Sequence, residues 1–81
     1  MSNKIDLIAH SKCGYSLQQI EKIKTKGFED NINVVYCDIK NKGKNDKRCG
    51  EVEGFPTFFN GPTKIHTGYT ENLQSLIGQK K

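Results

Sequence analysis

The order of apolar and polar residues in the first half of the chain leaves few folds open to it. A short apolar run, "KIDLIA" at 4–9, precedes "SLQQIEKIKTK" at 16–26, where apolar residues recur every third position, as on one face of a helix. The β-branched run "INVVYCDI" at 32–39 predicts a second strand, apolar enough to lie in the centre of a sheet. This order predicts two parallel strands joined by a right-handed helical crossover.

The second half of the chain predicts two more strands and a closing helix. The runs "PTFFN" at 56–60 and "TKIHT" at 63–67 flank a Gly-Pro turn, which predicts an antiparallel pair. The stretch "DKRCGEVEG" predicts a short additional helix, and Thr70 is the expected N-cap of a helix over 70–77. We therefore predict one α/β domain over 1–81, with a four-stranded mixed sheet flanked by helices. The predicted core consists of Ile5, Leu7, Leu17, Ile20, Ile23, Val34, Val35, Phe58, Leu73 and Leu76.

The composition argues against a membrane protein, a secreted protein and a nucleic-acid-binding protein. The chain has no apolar run long enough to span a bilayer, and its N-terminus lacks the apolar segment of a secretion signal, so we predict a cytoplasmic protein with no membrane partner. The net charge is +4, and basic residues concentrate in "KNKGKNDKR" at 40–48. Because this stretch has no aromatic side chain to stack on a base, we interpret it as solvated surface and expect no nucleic-acid partner.

Cys13 is the residue with the most distinctive chemical setting. It follows the first predicted strand and lies where the first helix begins, so unpaired N–H groups and the helix dipole favour its thiolate form. The thiolate is the nucleophilic form of cysteine. Lys12 adds positive charge, and the Ser16 hydroxyl is placed to donate to the sulfur. Cys13 and Ser16 are therefore the predicted catalytic residues.

Pro56 marks a second element of the same site. Proline cannot donate to a strand ladder, so its position in "GFPTFF" indicates the start of the third strand. We expect a cis peptide bond between Phe55 and Pro56. Such a bond would leave the backbone of Phe55 free to pair with an extended, peptide-like ligand beside the thiol.

These features together resemble the thioredoxin superfamily, and the short chain resembles its glutaredoxins over nearly its whole length. Residues 12–16, "KCGYS", are similar to the Lys-Cys-Gly-Phe-Ser motif of monothiol glutaredoxins. The resemblance implies a glutaredoxin-like thioredoxin fold that binds glutathione, with Tyr69 where the family has a glycine. The binding residues that it implies are Lys12, Tyr15, Phe55, Pro56, Gly68, Tyr69 and Thr70.

The serine at position 16 decides which thiol chemistry we expect. A dithiol enzyme resolves its mixed disulfide with a second cysteine, which is absent here. The remaining route is a monothiol cycle, in which Cys13 attacks a glutathione mixed disulfide and free glutathione regenerates the thiol. We predict a monomeric thiol–disulfide oxidoreductase with glutathione as co-substrate. Its expected partners are glutathione and glutathionylated or disulfide-containing proteins.

Two other functions remain open. The family resemblance also implies a dimer that carries a [2Fe–2S] cluster on Cys13 and glutathione from each subunit, and the third alternative is a non-catalytic interaction module. Cys37 is interpreted as a buried structural thiol and Cys49 as an incidental surface thiol, with a resolving role for Cys49 as the open alternative. The wide separation of the cysteines predicts no zinc site. His10, close to Cys13 in sequence, is not assigned a catalytic role.

Overall fold

The structure, a computed structural model, describes residues 5–78, so Lys4 of the first predicted strand lies outside the described residues. It is a mixed α/β structure with a four-stranded mixed sheet and two α-helices, as predicted. The strands are β1 (Ile5–Ala9), β2 (Ile32–Tyr36), β3 (Thr57–Asn60) and β4 (Thr63–Thr67), the helices are α1 (Gly14–Thr25) and α2 (Leu73–Gly78), and short 3-10 turns span Lys40–Lys42 and Lys47–Gly50.

The strand order is β2-β1-β3-β4. The predicted parallel pairing of β1 with β2 and antiparallel pairing of β3 with β4 are both confirmed, and β1 also pairs antiparallel with β3. The prediction that β2 lies in the centre is wrong, because β2 is an edge strand and β1 lies inside the sheet. The burial of the two strands gives the reason: the apolar side chains of β1 are fully buried, whereas β2 exposes Asn33.

The two faces of the sheet are covered differently. Both α-helices pack on one face, in a cluster formed by Ile5, Leu7, Ala9, Ile20, Ile23, Ile32, Phe58, Leu73 and Leu76. On the other face, Ile8, Val35 and Phe59 are covered by side chains of the segment 37–55. The additional helix predicted in that segment is only a 3-10 turn, so the helices flank one face and not both.

The buried stripe of α1 differs from the predicted one. Its members are Ser16, Gln19, Ile20 and Ile23, which have the spacing of one helix face. Leu17, a predicted core residue, lies off this stripe and is 49% exposed. Helix α1 ends at Thr25, and Gly27 follows it with a φ of +79°, which favours glycine, while the Phe28 N–H donates to the Ile23 carbonyl.

The closing helix also begins later than predicted. Helix α2 starts at Leu73, and the side-chain oxygen of Asn72 accepts from the Ser75 N–H at 3.4 Å, so Asn72 caps it in place of Thr70. Thr70 is instead held by α1, as described below. Neither α1 nor α2 is long and apolar enough to cross a membrane, and the same is true of every helix within residues 5–78.

Cys37, which follows β2 and whose N–H donates to the Ala9 carbonyl at 2.9 Å, forms a disulfide with Cys49. The expectation that these two residues are separate free thiols is wrong, because the turns between them bring their Cα atoms within 5.7 Å. The sequence gives no direct sign of this pairing, since it depends on how residues 38–48 fold back.

Arg48, next to Cys49, fastens the segment 37–55 by charge. Its guanidinium donates to Asp46 and Asp6, each at 2.7 Å, and to the Gly61 carbonyl at 2.9 Å. It also lies over the Phe59 ring, 5.5 Å from the centroid. The hydrogen bonds from Arg48 hold the pKa of Asp46 below its usual value. The disulfide therefore closes a loop within the segment, and the contacts of Arg48 with Asp6 and Phe59 attach the segment to the sheet.

We expect replacement of both Cys37 and Cys49 with Ser to lower the free energy of unfolding by about 3 kcal/mol, because the cross-link restricts the unfolded chain. Urea unfolding of the double variant and of wild type, each without reductant, measures this difference. Wild type with excess reductant should approach the double variant. Equal stability of wild type and the double variant would contradict the prediction.

Candidate functional site

The candidate site lies where the chain leaves β1 and enters α1. Cys13 is the N-cap residue of α1 and is half-buried. Its N–H donates to the His10 carbonyl at 3.1 Å, and its carbonyl accepts from the Leu17 N–H at 3.0 Å. These bonds fix the backbone at the start of the helix. All three cysteines lie in the described part of the chain, and Cys13 alone among them is free.

The start of α1 makes the Cys13 thiol more acidic than an ordinary one. The backbone N–H of Ser16 contributes most to lowering its pKa, and the Ser16 hydroxyl and the Tyr15 N–H lower it further, against the opposing effect of burial. All three donors stabilise the thiolate at the positive end of the helix dipole. A larger fraction of Cys13 is therefore nucleophilic at neutral pH than of a free cysteine.

Ser16 is fully buried. Its Oγ accepts from the His10 N–H at 3.2 Å, which occupies an oxygen lone pair and leaves the hydroxyl hydrogen free to point at the Cys13 sulfur. The structure thus places Ser16 as a donor to the thiolate, in the position that the sequence predicts.

The loop before β3 lies on the other side of the thiol. The Phe55–Pro56 peptide bond is cis, as expected. In the protonated state, the Cys13 Sγ donates to the Phe55 carbonyl oxygen at 3.7 Å. The Phe55 carbonyl therefore faces the thiol, and pairing of the Phe55 backbone with a ligand beside the sulfur stays a prediction.

The turn at Gly68–Thr70 joins this arrangement through two sets of hydrogen bonds. The Gly68 N–H donates to the Pro56 carbonyl at 2.7 Å, and the φ of +96° at Gly68 favours glycine at this turn. The backbone of Thr70 pairs with the side chain of Gln19. The structure therefore connects Cys13, Phe55, Pro56, Gly68 and Thr70, all named from the sequence.

The remaining predicted residues point outward. Tyr15 is 65% exposed, and Lys12 is also exposed. Tyr69 is half-buried and lines a groove of about 400 Å³ beside Leu17 and Lys22 on α1. Tyr15, Leu17 and Tyr69 therefore present partly apolar surface along the side of α1 that faces solvent.

Asp38 holds the loop between β1 and Cys13. Its carboxylate accepts from the Ser11 N–H at 2.9 Å and from the Ser11 hydroxyl, and these bonds lower the pKa of Asp38. The neighbouring His10 ring lies 5.5 Å from the Phe55 ring. Its Nδ1 accepts from the Lys12 N–H at 3.2 Å, so its 3.8 Å contact with Asp38 is not a hydrogen bond.

Sequence reasoning missed Gln19 and Asp38, although each leaves a signal. Gln19 follows Ser16 by three positions and precedes Ile20, so it lies on the apolar stripe, where an amide requires partners. Asp38 follows β2 as Ser11 follows β1, and the carboxyl ends of paired parallel strands lie side by side. Both signals require the strand order and helix phase before they can be recognised.

Comparisons of the chain with known protein families, with characterised proteins and with solved structures found no match. The chemistry of this site is therefore argued from its residues and their geometry.

Replacing Ser16 with Ala should move the pH midpoint of Cys13 alkylation upward, because the thiolate loses a hydroxyl donor. At pH 7 we expect alkylation by iodoacetamide to be severalfold slower than in wild type, since less of the thiol is ionised. Rates measured across pH test this. Ser75→Ala, which removes an exposed hydroxyl on α2, serves as the control and should leave the profile unchanged. An unmoved midpoint in Ser16→Ala would refute the assigned role.

Proposed function

We propose that the protein is a glutathione-dependent thiol–disulfide oxidoreductase in which Cys13 is the nucleophile. The observation that carries the proposal is the free Cys13 at the start of α1, with its pKa lowered by the Ser16 and Tyr15 donors. A thiolate poised in this way at a half-exposed position is the requirement for attack on a disulfide.

The proposed reaction has two exchange steps. The Cys13 thiolate attacks the glutathione sulfur of a mixed disulfide, a Cys13–glutathione disulfide forms, and the other thiolate leaves and takes up a proton. A second glutathione, as its thiolate, then attacks the glutathione sulfur on Cys13. This step releases glutathione disulfide and restores the Cys13 thiolate, so each turnover converts one mixed disulfide and one free glutathione into the reduced substrate thiol and one glutathione disulfide.

The positions of the other cysteines support a cycle that uses one thiol. Ser16 occupies the place of a second active-site cysteine and is buried. Cys37 and Cys49 are bonded to each other and pack on the sheet face opposite α1. In this arrangement neither can resolve a disulfide on Cys13, so an external thiol must do so.

The element order supports a glutaredoxin-like thioredoxin fold as the setting of this chemistry. A parallel strand–helix–strand unit carries the cysteine, the loop containing Pro56 precedes an antiparallel hairpin, and a glycine turn leads into the last helix. These are the features in which the sequence resembles that superfamily. We propose this fold family, with Lys12, Tyr15, Phe55, Pro56 and the Gly68–Thr70 turn as the glutathione surface.

The proposed glutathione cycle also favours a particular compartment and particular partners for the protein. Free glutathione must be present in the reduced form, which favours the cytoplasm, and the partners would be glutathionylated or disulfide-containing proteins. The proposed cycle does not use the Cys37–Cys49 disulfide, and Cys13 is the thiol that must be reduced.

A [2Fe–2S] cluster is the alternative use of the same thiolate. Such a cluster takes four protein or thiol ligands, and one chain offers the single free thiol of Cys13. The cluster alternative therefore needs a second copy of the chain and two further thiols from outside it, such as glutathione.

The test is glutathione-coupled reduction of a small glutathione mixed disulfide. Cys13→Ser should lower turnover at least a hundredfold, to the uncatalysed background, because the nucleophile is lost. The Cys37→Ser/Cys49→Ser double variant is the matched control, since it removes two cysteines and leaves no unpaired thiol besides Cys13. It should retain turnover at a temperature where it is folded.

Three outcomes separate the alternatives. Turnover that depends on Cys13 alone supports the proposed enzyme. A brown protein with visible absorption that is lost in Cys13→Ser, and no turnover, would favour the cluster-binding dimer. A colourless wild type without turnover would leave the non-catalytic interaction module.

A further inference from the structure

Gln19 is a fully buried polar residue in the middle of α1. Its Nε2 donates to the Thr70 carbonyl at 2.8 Å, and its Oε1 accepts from the Thr70 N–H at 2.7 Å. A side-chain amide has both a donor and an acceptor group, and here each pairs with the backbone of one residue 51 positions away. An apolar side chain would fit the stripe of α1 without this pairing, so packing alone does not explain Gln19.

The pair with Thr70 is one link in a series that surrounds the thiol. Thr70 leads back through Tyr69 to Gly68, whose N–H donates to the Pro56 carbonyl. Pro56 follows Phe55, whose carbonyl lies 3.7 Å from the Cys13 sulfur. The series closes on α1 itself, because Cys13 and Gln19 belong to the first two turns of the same helix.

We propose that Gln19 is a positioning residue that holds the Gly68–Thr70 turn, and with it Tyr69, at the distance from Cys13 that the disulfide substrate requires. This inference deepens the proposed function and rests on it. Gln19 is buried and does not reach the substrate, so it acts on substrate binding through the turn and leaves the ionisation of Cys13 unchanged.

The hydrogen bonds between Gln19 and Thr70 also fix the position of Tyr69. The N–H and the carbonyl of Thr70 are both bonded to Gln19, and its hydroxyl accepts from the Asn72 N–H at 3.1 Å. Tyr69 lies between Gly68 and Thr70, whose backbone groups are both bonded, so the position of its half-buried side chain depends on Gln19. Tyr69 is thus the residue of this turn through which we expect Gln19 to act on substrate binding.

The experiment measures KM and kcat for a glutathionylated peptide in wild type, Gln19→Met, Tyr69→Ala and the double variant. Methionine keeps the length of the side chain and removes both hydrogen bonds. We expect Gln19→Met to raise KM about tenfold, a loss typical of one or two hydrogen bonds that hold a loop. The kcat and the rate of Cys13 alkylation should stay within about twofold of wild type, since the thiol donors are untouched.

The double variant tests whether Gln19 acts through the turn. If Gln19 works by placing Tyr69, the two effects on KM should be strongly non-additive. The KM of the double variant should then be close to that of the single variant with the higher KM. Gln74→Met makes the same substitution at an exposed position of α2 and should match wild type. The amide proton of Thr70 should also exchange faster with solvent in Gln19→Met. This measurement detects the loss of the hydrogen bond between Gln19 and Thr70 without an activity assay.

The outcomes distinguish this inference from the function on which it rests. An unchanged KM in Gln19→Met, or a fall in kcat and alkylation rate that matches the rise in KM, overturns the positioning role. The proposed oxidoreductase function is unaffected by either result. Additive effects in the double variant overturn the route through Tyr69. A wild type without turnover overturns the proposed function and this inference with it.

Discussion

The burial of β1 on both faces of the sheet is the constraint on which the site depends. Ile5, Leu7 and Ala9 face the helices, and Ile8 faces the disulfide-linked segment, so β1 has to lie inside the sheet. Its carboxyl end is then flanked by the carboxyl end of β2 and by the start of β3, because one pair is parallel and the other antiparallel. Asp38 therefore reaches Ser11, just before Cys13, and the Phe55 carbonyl reaches Cys13 itself.

Helix α1 combines packing and chemistry on one face. Ile20 and Ile23 attach it to the sheet, while Ser16 and Gln19 place polar groups on the same buried stripe. Buried polar groups are stable in a structure when they are hydrogen-bonded, and both of these are paired, Ser16 with His10 and Gln19 with Thr70. The face that holds the helix in place thus also supports the sulfur at one end and the glycine turn further along.

The face opposite the helices is maintained by other means. Its apolar cluster is small, and no α-helix in the described chain covers it. The Cys37–Cys49 bond and the Arg48–Asp46 pair hold the covering segment together, and the contact of Arg48 with Asp6 on β1 attaches it to the sheet. A domain of this size has a limited hydrophobic core, and cross-links of this kind are a common supplement. Stability on this face therefore depends on bonds between specific residues, whereas the helix face depends on apolar area.

The sequence by itself determined the local elements and the position of Cys13 at the start of a helix. Apolar periodicity, the glycine after α1 and the proline before β3 act over a few residues, so they identified four strands, two helices, the strand directions and the helix-start cysteine. The tertiary structure decided what depends on distant neighbours: the edge position of β2, the exposure of Leu17, the cap of α2, the Cys37–Cys49 bond and the pairing of Gln19 with Thr70. Each of these is set by which residues meet across the fold, and a local pattern carries no information about a partner many positions away.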